Sequence, residues 1–383
     1  MRRIPCTAAA AALAAAVALA ASGCNDTSPR EMSVGLLVAQ TGPFAARGKD
    51  LLQGAQLAAA EINAEGYLVD GRRLHVTIVP SDDRGEVGTA RTEAQRLMDA
   101  GVTAIIGPAN TPQAEPVLPM VAARGVPEMT TATAASLMAL GQGNALRLVA
   151  NDDKQGRAMA EFCEEVSTHQ RIATIAEATD YGRGLAATFT ATLAEKKLAP
   201  APAIKLGRDG KLPADLVAQL RAQHVDTVAL FAREPQLNAL LDALEAANAT
   251  EIAVVGTNVV RNRPVALRPV RIRGLYATAT AIDAAEFPGG KAFVQRFRTR
   301  FGGDPVWGAQ LSYDAIYALA DAARQARSLD GAKLLATLKH IEPLTRVNQQ
   351  MRFAENGEQI YPSIAVYKVD QGVWALQEMS AAW

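Results

Sequence analysis

The strongest constraint on the fold is a regular alternation between short apolar runs and longer amphipathic runs. Apolar segments bounded by Gly, Pro and small polar residues are typical of buried strands. The longer segments carry apolar residues at helical spacing, as at Leu51, Ala55 and Ile62. The predicted strands are 33–39, 74–79, 102–106, 126–130, 172–176, 203–206, 227–231 and 252–255, and the predicted helices are 50–64, 87–98, 113–123, 152–167, 185–196, 216–223 and 237–247.

This alternation predicts an α/β protein with parallel sheets that are covered by helices on both faces. The chain has 383 residues, more than one typical hydrophobic core organises, so we expect two domains. A weak internal repeat agrees, because segments 97–112 and 220–235 share Leu, Val and Pro at the same spacing. The predicted fold is therefore two doubly wound parallel-sheet lobes. Ligands of such sheets gather at the carboxyl ends of the strands.

The N-terminus has the layout of an export signal. Arg2 and Arg3 precede an apolar run at 7–21, which is short for a membrane span. Small residues at 21–23 stand directly before Cys24, which resembles a bacterial lipoprotein signal in which the Cys is acylated and becomes the mature N-terminus. The alternative is ordinary cleavage with Cys24 as an incidental thiol. We expect 1–23 to be the signal and 24–30 to be a polar tether.

The composition fits an exported body without a polyanionic partner. Without residues 1–23, 37 Lys and Arg stand against 39 Asp and Glu, a net charge of −2. This balance does not favour nucleic acid or an anionic membrane surface. No later apolar run approaches the roughly 20 residues of a transmembrane helix. Beyond Cys24 the sequence has only Cys163, so we expect no disulfide within the mature body, and Cys163 beside Phe162 is interpreted as a buried small hydrophobe.

Signals for catalysis and metal binding are weak. The four histidines, His75, His169, His224 and His340, have no spacing that would place two of them on one helix face as metal ligands. The sequence contains neither a Gly-x-Ser-x-Gly elbow nor a phosphate-binding Gly-x-x-x-x-Gly-Lys loop. We therefore expect no catalytic residues, no metal and no cofactor, and a protein that is not an enzyme.

Several loops and helix ends carry the most distinctive motifs. They are 40–48 (QTGPFAARG), 61–66 (EINAEG), 106–111 (IGPANT), 147–156 (RLVANDDKQG), 180–184 (DYGRG), 312–315 (SYDA) and 353–357 (FAENG). In this order and spacing, over nearly the whole mature chain, they resemble the branched-chain amino-acid-binding proteins of bacterial ABC importers.

The resemblance implies a type I periplasmic binding-protein fold, in which two lobes joined by three crossings trap a ligand. The crossings would lie near 149–150, 276–277 and 346–348. Lobe 1 would then hold 31–149 and 278–346, and lobe 2 would hold 150–277 and 347–383. Closure would be hinge-like, and a ligand would favour the closed form by contacting both lobes.

The resemblance also implies a function. The chain would be an extracytoplasmic solute-binding lipoprotein, in the periplasm or at the cell surface, held to a bacterial membrane only through Cys24. It would bind a branched-chain amino acid or a related small carboxylate and deliver it to ABC permease and ATPase subunits, with no role for nucleic acid. The alternative is a ligand-sensing receptor of the same fold that feeds a signalling or regulatory partner.

Ligand-binding residues follow from the same resemblance. Thr111 and the small residues of 130–134 match the family's subsite for the ligand carboxylate, where backbone N–H groups at helix starts favour an anion. Within this segment Ala132 and Thr133 are the candidate contacts. Tyr181 matches a pocket Tyr, and its alternative is a partly buried loop aromatic.

Three departures from the family pattern concern charge. Arg47 stands where an aromatic wall is frequent, Arg233 where a Tyr is frequent, and Asn258 where an acid pairs with the ligand ammonium. Because a desolvated ammonium needs a charged partner, we expect a ligand that carries a second anionic group or lacks the ammonium. The alternative is that both arginines point to solvent and that Glu234 or Asp314 meets the ammonium.

Two further features have simpler interpretations. Tyr317 is expected in the core, while Trp307 is a candidate for the mouth of the cleft. A basic run is expected to form a solvated surface, with an anion site or a contact to an acidic permease face as alternatives; its members are Arg261, Arg263, Arg268, Arg271 and Arg273.

Overall fold

The first of two α/β lobes is built on a six-stranded sheet. The computed structural model describes residues 28–341, 345–348 and 351–379, so the predicted signal and Cys24 lie outside the described residues. The strands are β1 Arg30–Val38, β2 Leu68–Val69, β3 Arg72–Asp82, β4 Ala104–Ile106, β5 Glu128–Thr130 and β6 Ala145–Arg147. They lie in the order β2-β3-β1-β4-β5-β6, and all neighbours are parallel except β2 and β3. Since β1 begins at Arg30, the tether predicted at 24–30 overlaps the sheet by one residue.

The second lobe is built on a seven-stranded sheet. Its strands are β7 Ile172–Ala176, β8 Ala203–Lys205, β9 Thr227–Phe231, β10 Ala253–Gly256, β11 Gly274–Ala279, β12 Ala365–Asp370 and β13 Val373–Met379. The order is β13-β12-β11-β10-β9-β7-β8, with parallel pairing from β8 to β11. The two predicted lobes are confirmed. The antiparallel edge formed by β12 and β13 was not predicted.

The helices cover both sheets, and several begin earlier than their apolar periodicity predicted. They are α1 Ala45–Glu65, α2 Val87–Asp99, α3 Thr111–Ala123, α4 Leu137–Leu140, α5 Asp152–Val166, α6 Asp180–Glu195, α7 Leu216–Ala222, α8 Glu234–Ala246, α9 Arg263–Leu267, α10 Gly290–Phe301, α11 Ala309–Ala326 and α12 Gly331–His340. The start of α6 is fixed by a cap, because the Thr179 hydroxyl accepts a hydrogen bond from the Gly182 N–H at 3.1 Å. Tyr181 therefore lies in a first helical turn.

Within the described residues, the chain passes between the two sheets three times, and residues of these three passages line one small cavity of about 50 Å³. The first passage, at 148–150, includes the pair predicted at 149–150. The second follows β11, which runs to Ala279, two residues beyond the predicted lobe boundary. The third lies near 361–363, later than the predicted 346–348.

The third passage lies later in the chain than predicted for a physical reason. The buried Asp314 carboxylate of α11 accepts backbone N–H groups of residues 346–348 at 2.8 to 3.1 Å and so holds this segment on lobe 1. Phe353 and Gln359 then form an antiparallel bridge, and the Arg147 N–H donates to the Gly357 carbonyl at 2.9 Å. The segment therefore extends lobe 1 beside β6 before it leaves for β12.

Cys163 is fully buried in lobe 2 and packs in one apolar cluster with Phe162, as predicted. Tyr317 is buried in the core of lobe 1, also as predicted. Within the described ranges, no helix has the length and apolar character that a membrane span requires.

Candidate functional site

Two loops of lobe 1 meet at the carboxyl edge of its sheet. Thr111 opens α3, and its hydroxyl accepts the Ala134 N–H at 3.3 Å. The Thr130 hydroxyl donates to the Pro108 carbonyl at 2.6 Å and ties the same two loops. Gly107 has a φ of +99°, and a Cβ there would lie 1.9 Å from the Leu37 carbonyl oxygen, so only glycine allows this approach to β1.

Arg147, the last residue of β6, fixes the loop at residues 132–134. Its side chain is fully buried and donates to the carbonyls of Ala132 and Ala134, the latter at 2.8 Å. Its Nε and Nη2 also contact the two carboxylate oxygens of Glu358 at 3.0 and 3.2 Å. The backbone of residues 132–134 is thus fixed to the segment that precedes the third passage.

Asp152 connects the loop to the start of α5. Its N–H donates to the Thr133 carbonyl at 2.9 Å, and its carboxylate accepts the Thr133 hydroxyl. Burial raises the pKa of Asp152 to about 6, against opposing contributions from Thr133 and Arg147. Its Oδ1 is buried and has no hydrogen-bond partner among the described residues. Thr133 thus lies directly beside an acid that titrates near neutral pH.

Tyr181 and Asn258 lie side by side on lobe 2. The Tyr181 hydroxyl lies 2.9 Å from Thr257 Oγ1 and 2.9 Å from Asn258 Oδ1. The buried Gln155 amide donates to Asn258 Oδ1 at 3.1 Å and to Thr278 Oγ1 at 2.9 Å. Burial raises the pKa of Tyr181, and the charge of Asp152 acts in the same direction, so the phenol stays protonated.

Arg47 brings a positive charge to the same region from lobe 1. It lies in the first turn of α1, half-buried, with its guanidinium carbon 4.9 Å from the centre of the Trp307 ring. Burial lowers the pKa of Arg47; Tyr181 opposes this effect, and Arg261 and Arg233 of lobe 2 add to it. Arg47 is thus a positive charge at the carboxyl edge of the lobe 1 sheet.

The interlobe site is defined here as Arg47, Thr111, residues 132–134, Tyr181 and Asn258. Its two walls come from loops or first helical turns at the carboxyl ends of strands. The predicted residue Arg233 lies at its margin, with an exposed side chain 3.5 Å from Glu177. The predicted residues of each lobe therefore lie at the carboxyl ends of strands of their own sheet.

Trp307 is held next to Arg47 by Asp50. The buried Asp50 carboxylate accepts four backbone N–H groups, from residues 306–309, at 2.7 to 3.0 Å. A cavity of about 200 Å³ lies beside Trp307 and is also lined by Asp283 and Gln310.

The interpretation of Arg261 as solvated surface is wrong. Its side chain is 9% exposed and forms a two-pronged ion pair with Asp283, at 2.7 and 3.1 Å. Its guanidinium carbon also lies 4.1 Å from the centre of the Tyr367 ring. Asp283 lies just after the second passage, where the chain re-enters lobe 1. The Arg261–Asp283 ion pair therefore joins lobe 2 to lobe 1.

The alternative acids for an ammonium are engaged elsewhere. Asp314 is buried and bonded to residues 346–348. Glu234 accepts the Asn262 amide at 2.7 Å. The described residues contain no group of three or more His, Cys, Asp or Glu that could hold a metal ion.

Sequence reasoning missed Arg147, Asp152, Gln155 and Glu358 as organisers of the site. Three of them lie within the 147–156 motif, and Glu358 directly follows the 353–357 motif. A charged residue at the end of an apolar strand was the available signal for Arg147, because a buried charge requires a partner.

Comparison with known proteins agrees with this architecture. A family model described as periplasmic binding protein matches residues 31–373. The Leu/Ile/Val-binding protein BraC3 of Rhizobium johnstonii is 28% identical over 352 residues, which cover 89% of this chain and 92% of that protein.

Two solved structures share the fold. The leucine complex of an ABC transporter substrate-binding protein from Desulfitobacterium hafniense has a TM-score of 0.78 at 22% identity, covering 91% of this chain and all of the other. The 3,4-dihydroxybenzoic acid complex of an ABC transporter solute binding protein from Rhodopseudomonas palustris BisB5 has a TM-score of 0.75 at 19% identity, covering 92% and 98%.

Proposed function

The chain belongs to the periplasmic binding protein family, and we propose that it is the extracytoplasmic solute-binding protein of an ABC importer. We propose further that the solute is an amino acid or another small carboxylate. The relative BraC3 is named for leucine, isoleucine and valine, and the two structural neighbours hold leucine and 3,4-dihydroxybenzoic acid. These compounds share a carboxylate group.

The observation that supports the proposal is the position of the candidate residues at the ends of strands. Thr111 and residues 132–134 follow β4 and β5 of lobe 1, and Tyr181 follows β7 of lobe 2, so all of them lie at carboxyl ends of parallel strands, where ligands of such sheets bind. The start of α3 offers backbone N–H groups to an anion, whereas the Ala132 and Ala134 N–H groups of the neighbouring loop donate to the Thr130 and Thr111 hydroxyls. On lobe 2, the Tyr181 hydroxyl donates to Asn258 Oδ1 at 2.9 Å, so Tyr181 would meet the ligand with its aromatic ring.

The mechanism follows from this division of the site. A ligand carboxylate binds first to the fixed backbone of lobe 1, since Arg147 and Glu358 hold that loop independently of closure. Contacts to Tyr181 become available only when lobe 2 approaches. The ligand therefore has a higher affinity for the closed form, shifts the population towards it, and presents a closed shape to a permease.

Membrane attachment through acylated Cys24 is a further part of the proposal. It is supported by the export-signal layout of 1–23 and the small residues before the Cys. In a bacterial host, the wild-type chain should incorporate a radiolabelled fatty acid and sediment with membranes, and the Cys24→Ala variant should do neither. A label that persists in this variant contradicts acylation at Cys24.

Binding is tested by thermal shift and calorimetry with amino acids and organic acids. A ligand present at about 100 times its dissociation constant stabilises the protein by roughly 2.7 kcal/mol. At least one small carboxylate should do so with one-to-one stoichiometry. The absence of binding across the panel would contradict the proposed function.

The alternative remains a receptor of the same fold that reports the ligand to a signalling partner. Adjacent permease and ATPase genes, and ligand uptake that depends on this protein, would support import. An adjacent kinase or chemoreceptor gene, with no effect of deletion on uptake, would support sensing.

A further inference from the structure

Arg47 is a partly buried cation with which no described carboxylate pairs. Its side chain is half-buried and stacked on Trp307, and no described carboxylate bonds or pairs with it. Taking a cation out of water without a counterion is costly in free energy. A position of this kind is stabilised when an anion binds beside it.

The neighbouring positive charges are compensated, in contrast to Arg47. Arg261 forms a two-pronged pair with Asp283 at 2.7 and 3.1 Å, and Arg233 lies 3.5 Å from Glu177. The acids of both pairs are therefore already engaged. The excess positive charge of this part of the interlobe site belongs to Arg47.

The order of the strands relates Arg47 to the carboxylate-binding loop. Arg47 follows β1 and Thr111 follows β4, and these neighbouring parallel strands end at the same edge of the lobe 1 sheet. A ligand with one carboxylate at Thr111 and residues 132–134 that extends along this edge would therefore approach the Arg47 guanidinium.

On the basis of the proposed function, we propose that the ligand is a small organic acid with two anionic groups, and that Arg47 selects for the second group. The first carboxylate binds Thr111 and the loop at 132–134, and the second pairs with Arg47 beside Trp307. Arg47 is thus a specificity-determining residue. The shared chemistry is that of a dicarboxylic acid or an acidic amino acid.

The test is calorimetry with ligand pairs of equal carbon number. Glutarate is compared with pentanoate, which has the same skeleton with one carboxylate fewer, and glutamate with valine, which lacks the second carboxylate and is also branched. The diacid of at least one pair should bind about 10- to 100-fold more tightly, as expected for a charge-assisted contact. The pair in which the diacid binds more tightly shows whether the ligand carries an ammonium group.

Variants of Arg47 test whether its positive charge causes the preference for the diacid. Arg47→Gln should reduce diacid affinity by about 10-fold or more and change monoacid affinity little, while Arg47→Lys should retain part of the preference. Arg91→Gln, at an exposed position of α2, is the matched control and should leave all affinities unchanged. Circular dichroism and melting curves confirm that each variant is folded.

Two results have distinct meanings. If valine, leucine or pentanoate binds as tightly as the matched diacid, and Arg47→Gln does not alter this, the two-anion proposal is overturned while the proposed function stands. If no small acid or amino acid binds the wild-type protein, the proposed function itself fails.

Discussion

Replacement of Glu358 should loosen the loop that carries Ala132 and Thr133, although Glu358 itself lies on a distant part of the chain. Its carboxylate contacts Arg147 at 3.0 and 3.2 Å, and Arg147 in turn holds the carbonyls of residues 132 and 134. Arg147 has no solvent exposure. The Glu358→Ala variant would therefore leave a buried guanidinium without its acidic partner.

The magnitude follows from the burial of the pair. Removing one partner from a buried ion pair costs about 3–5 kcal/mol. The Glu358 side chain retains 20% exposure, so water reaches the vacated position, and a cost below this range, about 2–3 kcal/mol, is expected. Glu358→Gln keeps an acceptor oxygen and should cost about 1–2 kcal/mol.

Denaturant unfolding measures this cost, and Glu355→Gln is the matched control. Glu355 lies three residues earlier with an 80% exposed side chain, and its ion-pair contact, to His340, is at 4.0 Å. The control should change stability by less than about 0.5 kcal/mol. Folded Glu358→Ala protein should also bind its carboxylate ligand more weakly, since the loop N–H groups are no longer held in place. If Glu358→Ala matches the control in both stability and affinity, this reasoning is refuted.

Three further predictions concern the interlobe site. Burial raises the pKa of Asp152 to about 6, and the charged or titratable groups that interact with it are Arg147, Asp153 and Tyr181. A ligand carboxylate bound beside Thr133 should therefore favour the protonated form of Asp152. Affinity for an acid without an ammonium should then rise as the pH falls from about 8 to about 6, and Asp152→Asn should abolish this dependence; a flat wild-type profile in calorimetry would contradict the assignment. In the ligand-free protein, the same raised pKa means that the contribution of Asp152 to stability is full below about pH 4 and is lost as the pH rises through about 6. Tyr181→Phe removes the two 2.9 Å contacts to Thr257 and Asn258 and should lower the free energy of unfolding by about 1 kcal/mol and weaken ligand binding. If denaturant unfolding gives wild-type stability and the affinity is unchanged, Tyr181 does not organise this wall.

The sheets were predictable because buried parallel strands are short, continuous apolar runs. The predicted strands 172–176 and 227–231 coincide with β7 and β9, and every residue in both is buried. Helix starts were less predictable. The first turns of α1 and α6 are rich in Gly, Ala and polar residues without apolar periodicity, and their position depends on caps and on close approaches such as that of Gly48 to the Ala39 carbonyl.

Charge pairing between distant segments could not be predicted from spacing. Arg261 belongs to a basic run that is typical of a solvated surface, yet Asp283 and Tyr367 remove it from solvent. Arg147 and Glu358 lie 211 residues apart. The third passage was displaced for a similar reason, since the buried Asp314 binds a segment that carries no secondary structure of its own. Such contacts arise from the tertiary fold and leave no local periodicity.

The central claim is that the binding of a small carboxylate brings the two lobes together around it. Small-angle X-ray scattering of the full mature protein, with and without a ligand whose binding calorimetry has established, measures this change of shape directly. The account predicts a smaller radius of gyration at saturation, a change that Tyr181→Phe weakens because Tyr181 is the contact on the second lobe. A radius of gyration that stays the same at full occupancy would contradict it.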